Sequence, residues 1–169
     1  MPIKIEPLSE HHERSAFSCG EPELDDYFRQ RAGQDERRNV ARVFVATEDD
    51  LGIVGFYTLS TCAIHPGPLP KEIARKLPRY DTIPAALIGR LARDLRARGR
   101  GVGELLLADA IKRVLRADRS MAVWAILVDA KNEGASDFYK RFGFVPFPSR
   151  PGRLFLPTAT ARKAVAAAR

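Results

Sequence analysis

AALIGRLARDLRARGRGVG, residues 85–103, decides how the rest of this chain is read. It opens apolar, continues through alternating arginines and closes on Gly99, Gly101 and Gly103. Pro84 bars a helix just before it, so residues 85–93 are expected as a strand. An apolar run follows at once, with Leu106, Leu107, Ala110, Ile111 and Val114 at helical core spacing. The stretch is therefore a strand, a glycine-rich turn and a helix start. Such a start offers unpaired backbone N–H groups and the positive end of a helix dipole, which together suit an anion.

Toward the amino terminus, Ile3-Lys4-Ile5 alternates as a short strand, and residues 9–18 are expected to include a short helix. Pro22 is placed to open a further helix that carries Leu24, Tyr27, Phe28 and Ala32 on one face and ends before Asn39. Residues 41–47 and 53–61 alternate with β-branched and aromatic side chains and form a hairpin across Glu48-Asp49-Asp50. A proline-rich loop surrounds a short helix over 71–77.

Beyond the glycines, AVWAILV (122–128) is a near-continuous apolar run, the pattern of a strand covered on both faces. A helix over 133–142 is stopped by Gly143, and residues 144–147 and 153–156 read as two closing strands. The tail, 158–169, is helical or frayed. This order implies one α+β domain over residues 1–169, layered like an α/β protein, with a mixed central sheet of six to seven strands and helices on its faces.

Composition narrows the class. Apolar residues make up 45% and charged residues 29% of the 169, which suits a soluble globular chain and excludes disorder. The net charge of +7 suits a polyanionic partner, either nucleic acid or a phosphorylated cofactor. Cys19 and Cys62 are the two cysteines and have no metal-ligand spacing, so two ordinary thiols and no metal are expected. No apolar run reaches the ~18 residues of a membrane span, and the first residues lack the apolar core of a secretion signal. The expected location is the cytoplasm. His11, His12 and His65 stand away from the glycine turn and are read as surface residues.

The turn admits several readings. A P-loop needs Lys-Ser/Thr after its last glycine, whereas Glu104-Leu105 stand here. A dinucleotide fingerprint needs GxGxxG near the start of a βαβ unit, but this is GxGxG with half the chain before it. A tight turn that binds nothing is the plain alternative. The remaining reading is Arg98-x-x-Gly101-x-Gly103, which resembles the pyrophosphate-binding pattern of the GNAT N-acetyltransferases. Glycine is needed in such a turn because a Cβ would hold phosphate away from the amides. A second motif stands one helix and one apolar strand later. Asn132, Ala135, Phe138, Tyr139, Gly143 and Phe144 resemble that family's late motif, in which a Phe-Tyr helix packs beside the cofactor.

Over nearly the whole chain the resemblance narrows to the acetyltransferase toxins of bacterial toxin–antitoxin modules. It is carried by Phe17-Ser18-Cys19-Gly20, Leu24-Asp25, Arg42-Val43-Phe44-Val45, Gly55-Phe56-Tyr57-Thr58-Leu59-Ser60, Ile88-Gly89-Arg90-Leu91-Ala92, Val128-Asp129-Ala130-Lys131 and Leu154-Phe155-Leu156-Pro157. The resemblance implies a GNAT fold with a splayed strand pair at the cofactor site. It also implies acetyl transfer from acetyl-CoA to the α-amine of aminoacyl-tRNA, a small DNA-binding antitoxin of the ribbon-helix-helix type, and a homodimer. Leu91, Ala92 and Arg93 would line the pantetheine. Arg98, Gly99, Arg100, Gly101, Val102 and Gly103 would hold the pyrophosphate, Asn132 and Phe138 would contact the cofactor, and Tyr139 would be the catalytic acid. The basic residues Arg37, Arg38, Arg42, Arg75, Lys76, Arg79, Arg90 and Arg93 are the candidates for tRNA phosphates. Two other functions fit parts of the pattern: acetylation of a protein N-terminus or small amine, and a non-catalytic nucleic-acid-binding module.

Overall fold

The computed structural model describes residues 2–168. Its elements run β1 (Lys4–Pro7), α1 (Pro22–Gln30), α2 (Ala32–Arg37), β2 (Arg42–Glu48), β3 (Gly52–Ile64), α3 (Lys71–Ala74) and β4 (Ile83–Arg93). A 3-10 turn (Leu95–Ala97) follows, then α4 (Val102–Ala117), β5 (Ala125–Asp129), α5 (Glu133–Arg141), β6 (Val145–Phe147), β7 (Arg150–Pro157) and α6 (Thr158–Ala167). The strands form one seven-stranded sheet in the order β1-β2-β3-β4-β5-β7-β6. β4 and β5 are joined through helix α4, the connection that makes a parallel pair, so the sheet is mixed as expected. The chain groups into two compact units, one of Met1–Ser60 with Ile88–Ala110 and the other of Thr61–Leu87 with Ile111–Arg169.

The first unit is built on the expected hairpin. β1 pairs antiparallel with β2, and β2 with β3 from Arg42 opposite Leu59 to Glu48 opposite Gly52. Gly52 takes a φ of +75°, a conformation that costs glycine nothing, at the tight return of the hairpin. Against these strands pack Phe17, Tyr27, Phe28, Ala32, Val43, Val45, Ile53, Phe56 and Ala92. The rings of Phe28 and Phe56 lie 4.3 Å apart and nearly parallel.

Two sequence expectations change in this unit. The single helix from Pro22 toward Asn39 is two helices, broken at Arg31 (φ −117°, ψ −26°). Phe28 and Ala32, on either side of the break, lie in the same core. Residues 9–18 form no helix. Their backbone is engaged by side chains instead: Ser9 N–H donates to His12 Nδ1 (2.9 Å), Ser18 N–H to Asp94 (3.1 Å), and Arg14 reaches the Phe28 carbonyl (2.9 Å). Such local bonds compete directly with a helical ladder.

In the second unit, β5 is fully buried over Ala125–Val128, as its unbroken apolar run required. It pairs antiparallel with β7, and β7 with β6. Ile64, Leu69, Ile83, Ala85, Leu127, Phe147 and Phe155 form the core here. β4 begins at Ile83, two residues earlier than expected, because Pro84 needs no donor of its own there and its carbonyl accepts Trp124 N–H at 2.9 Å. The strand expected over 122–128 begins only at Ala125, since Val123 N–H is taken by the Asp118 carboxylate (2.9 Å). Helix α3 is confined to Lys71–Ala74, and the tail is helical through Ala167 rather than frayed.

Gly55 shows how closely α4 approaches β3. A Cβ there would lie 2.9 Å from Leu106 Cδ1, 3.0 Å from Val102 Cγ1 and 3.1 Å from the Ala92 carbonyl oxygen. Gly55→Ala is expected to destabilise the protein by about 1–3 kcal/mol through overpacking, measured as a lower urea midpoint with unchanged m-value.

Candidate active site

The glycine turn is anchored by one buried carboxylate. Asp94 is 1% exposed and ends β4, where its N–H donates to the Val54 carbonyl at 2.8 Å. Its carboxylate caps the 3-10 turn by accepting Arg96 N–H (2.9 Å) and also accepts Ser18 N–H (3.1 Å) and the Arg96 guanidinium (2.9 and 3.0 Å). Burial alone would raise its pKa, but the hydrogen bonds from Arg96 and Ser18 outweigh it and hold the carboxyl below its ordinary value.

From this anchor the chain passes Arg98 and enters the turn. Gly99 and Gly101 have φ of +78° and +72°, conformations that strain any residue with a Cβ. Helix α4 starts immediately at Val102, with Gly103 in its first turn, and Leu105 N–H bonds the Gly101 carbonyl at 3.1 Å. The N–H groups before Leu105 have no acceptor within the helix, so the turn opens α4 with unpaired donors, as the glycine spacing implied.

The two arginines of the turn differ. Arg98 is exposed, and its side chain has no hydrogen bond or ion pair among the described residues. Arg100 is ion-paired to Glu48, which is 5% exposed at the end of β2. Its guanidinium is therefore engaged with the protein, whereas both side chains were expected on the cofactor phosphates. On β4, Leu91 and Arg93 are half-buried and Ala92 is buried. Arg90 is half-buried too, with its guanidinium carbon 3.6 Å from the centroid of the Tyr27 ring.

The second unit holds the Phe-Tyr helix. Asn132 caps α5, its Oδ1 accepting Ala135 N–H at 2.8 Å. Phe138 is half-buried, and Tyr139 is 7% exposed with its ring 5.5 Å from Phe144. The Tyr139 hydroxyl has no hydrogen-bond partner among the described residues, and burial pushes its pKa up to about 12. At neutral pH this phenol keeps its proton and has no acceptor for it among the described residues.

The basic candidates divide between the units. Arg37 and Arg38 are exposed in the first, where Arg42 bonds Glu36 (3.0 Å) and Asn39. In the second, Lys76 and Arg79 are exposed and Arg75 makes a surface pair with Glu72 at 2.7 Å, a contact of little energetic weight. His12 departs from the surface reading. Its side chain is 5% exposed, with Nδ1 accepting Ser9 N–H and Nε2 at 2.8 Å from Glu6. A bonded Nδ1 fixes the proton on Nε2, which donates to Glu6, and the Ser9 hydroxyl links His12 to His11, so these side chains form a hydrogen-bond network. Glu48, Asp94 and the Tyr27–Arg90 pair escaped sequence reading. Only Tyr27, a phenol on an otherwise apolar helix face, left a trace there, as a side chain with a polar end to satisfy.

The model of the acetyltransferase (GNAT) domain matches residues 39–146, well over half of the chain and spanning the glycine turn and the Phe-Tyr helix. The chain belongs to the GNAT acetyltransferases. This GNAT chain is 39% identical over 155 residues to a tRNA-acetylating toxin of Mycobacterium tuberculosis (strain ATCC 25618 / H37Rv), covering 92% of each. Its fold is similar to that of AtaT complexed with acetyl-methionyl-tRNAfMet, with a TM-score of 0.89, 29% identity, and 97% of this chain and 99% of that one covered. It is also similar to a variant of the AtaT toxin bound to the C-terminus of the antitoxin AtaR and acetyl-CoA. There the TM-score is 0.80 and the identity 26%, with 96% of this chain and 98% of that one covered. Among the described residues no helix is long and apolar enough to cross a membrane.

Asp94→Asn is expected to cost about 1–3 kcal/mol, because the buried donors of Ser18 and Arg96 lose a charged acceptor. The sign with pH follows from the lowered carboxyl. Its contribution is complete above the ordinary Asp value of 3.8 and vanishes as pH falls through the lower folded value. Urea titrations at pH 7 and in the acid range below pH 4 should show the gap between wild type and Asp94→Asn closing with acid.

Proposed function

We propose that this GNAT enzyme is a toxin that transfers acetyl from acetyl-CoA to the α-amine of aminoacyl-tRNA and so blocks translation. The observation that carries this reading is the 39% identity to a tRNA-acetylating toxin along 92% of both chains. The site residues support it independently. The amides of Gly99, Gly101, Val102 and Gly103 bind the pyrophosphate of acetyl-CoA, with the exposed Arg98 side chain adding charge, while the Arg98 and Arg100 N–H groups donate to the Leu95 and Ala97 carbonyls (3.3 and 3.4 Å) and shape the turn. Arg100 braces the turn, its side chain held by Glu48 and its N–H by the Ala97 carbonyl. Leu91, Ala92 and Arg93 run along the pantetheine. Phe138 packs on it, and Asn132 keeps the Phe-Tyr helix capped.

In the transfer, the neutral amine attacks the thioester carbonyl, a C–N bond forms and the C–S bond breaks. The amine loses one proton and the departing thiolate gains one. Tyr139 supplies the proton to sulfur. A phenol raised to about 12 by burial gives its proton only uphill to a thiolate of ordinary basicity, ~8.5. Tyr139 therefore acts while the amine gives up its proton in the same event, the phenol being refilled as it donates. An aminoacyl ester lowers its own ammonium pKa beneath the ~7.7–8.0 of a free α-amine, so water suffices as the base.

The basic residues Arg37, Arg38, Arg42, Arg75, Lys76, Arg79, Arg90 and Arg93 bind tRNA phosphates in this reading. The chain is read as a single acetyltransferase domain over residues 1–169, supported by the likeness to AtaT along 97% of the chain. The setting is cytoplasmic, as a homodimer encoded with a small DNA-binding antitoxin of the ribbon-helix-helix type.

Incubation with labelled acetyl-CoA and bulk charged tRNA should place label in acid-precipitable RNA. Label confined to protein or small amines would instead assign a different acceptor. Tyr139→Phe should retain acetyl-CoA binding by calorimetry while turnover falls ~10²-fold or more; unchanged turnover would remove Tyr139 from the chemistry.

A further inference from the structure

Arg90 sits on β4 in an unusual frame. Its N–H donates to a side chain of the neighbouring strand, Thr58 Oγ1, at 3.0 Å. Thr58 is 2% exposed, so this hydroxyl is a fixed part of the interior. The preceding residue, Gly89, leaves room for it, since a Cβ there would stand 3.0 Å from the same Oγ1. The backbone of Arg90 is thereby held to one position against β3.

The side chain is held as firmly from the other end. Its guanidinium carbon lies 3.6 Å from the Tyr27 ring centroid. Tyr27 is 3% exposed, lies nearly parallel to Phe56 at 6.5 Å, and donates its hydroxyl to Asp35 at 2.7 Å. The ring is thus fixed by the aromatic core on one side and a carboxylate at its tip. A guanidinium lying on that face keeps its planar edge of N–H donors uncommitted. No hydrogen bond or ion pair of this guanidinium occurs among the described residues. A carboxylate partner would have positioned Arg90 equally well, but by occupying the edge that reads an oxyanion. An aromatic support positions the cation and leaves that edge for a ligand.

We infer that Tyr27, Thr58 and Gly89 are positioning residues that build Arg90 into a preformed phosphate fork, and that its ligand is a backbone phosphate of the acceptor RNA. The inference deepens the tRNA reading above and rests on it for the source of the phosphate. Tyr27, read from sequence as a core residue, thereby becomes a determinant of substrate affinity.

The test is filter binding of labelled, uncharged tRNA across a salt series, with acetyl transfer to charged tRNA measured in parallel. Arg90→Ala should weaken RNA binding about tenfold and reduce the salt slope by ~0.7–0.9, the loss of one phosphate contact. Arg90→Lys should restore much of the slope but not the affinity, because an ammonium cannot form the fork. Tyr27→Leu should approach Arg90→Ala, Tyr27→Phe should stay near wild type, and Tyr27→Leu combined with Arg90→Ala should be no worse than Arg90→Ala alone. In each case the KM for acetyl-CoA should hold. An unchanged salt slope in Arg90→Ala, or a KM for acetyl-CoA that rises in step with RNA loss, overturns the inference. Should Tyr27→Leu fail to fold, Arg90→Lys and Thr58→Val decide the matter alone, with Thr58→Val expected to weaken RNA binding while Tm falls only modestly. If wild type binds RNA with a slope that Arg90→Ala reduces, yet acetylates no charged tRNA, the fork stands and the acetylation reading falls.

Discussion

A buried carboxylate at the end of β4 is the constraint on which the donor half of the site depends. Asp94 draws in three separate parts of its unit: Ser18 from the irregular opening segment, Val54 from β3 and Arg96 from the 3-10 turn. A carboxylate with 1% exposure survives ionised only if its oxygens are bonded, and here they are. The same bonds set where the strand stops and the turn begins. The glycines can then adopt positive φ at a defined place, and α4 starts with its amides directed outward.

Charge in this protein is sorted by what each arginine is allowed to touch. Arg96 and Arg100 are held by buried carboxylates and serve the fold. Arg153 is held by Asp129, whose carboxyl it keeps below the ordinary range. Arg90 has an aromatic face in place of a carboxylate, and Arg98 has no partner among the described residues. A net charge of +7 says nothing of this division. Arg90 and Arg98 are among the arginines whose guanidinium groups have no oxygen partner among the described residues.

Much of the fold was legible because its signals are local. Period-two alternation marked β2 and β3, and the unbroken apolar run marked β5, each through which faces the strand buries. The misreadings came where side chains captured the backbone. The polar stretch over 9–18 has helical composition, yet Asp25 and Asp94 take the N–H groups of Cys19 and Ser18 at its end. Helix α1 ends at Gln30 because core packing turns the chain at Arg31, which no propensity records. Glu48 read as part of a charged surface turn and is instead 5% exposed, since Arg100 reaches it from 52 residues away.

By itself the sequence determined the strand–turn–helix order at residues 85–103, the three glycines of its turn, and the Phe-Tyr helix that follows one strand later. These are matters of steric freedom and periodicity within a few residues of the chain. Tertiary structure alone decided which charges are held by carboxylates and which rest on an aromatic face or in solvent. Asp94 and Ser18 stand 76 residues apart, and Arg90 meets Tyr27 only through the folding of β4 beside the aromatic core. Ion pairing and ring stacking fall off over a few ångströms of space, so their partners are chosen by packing and not by spacing along the chain.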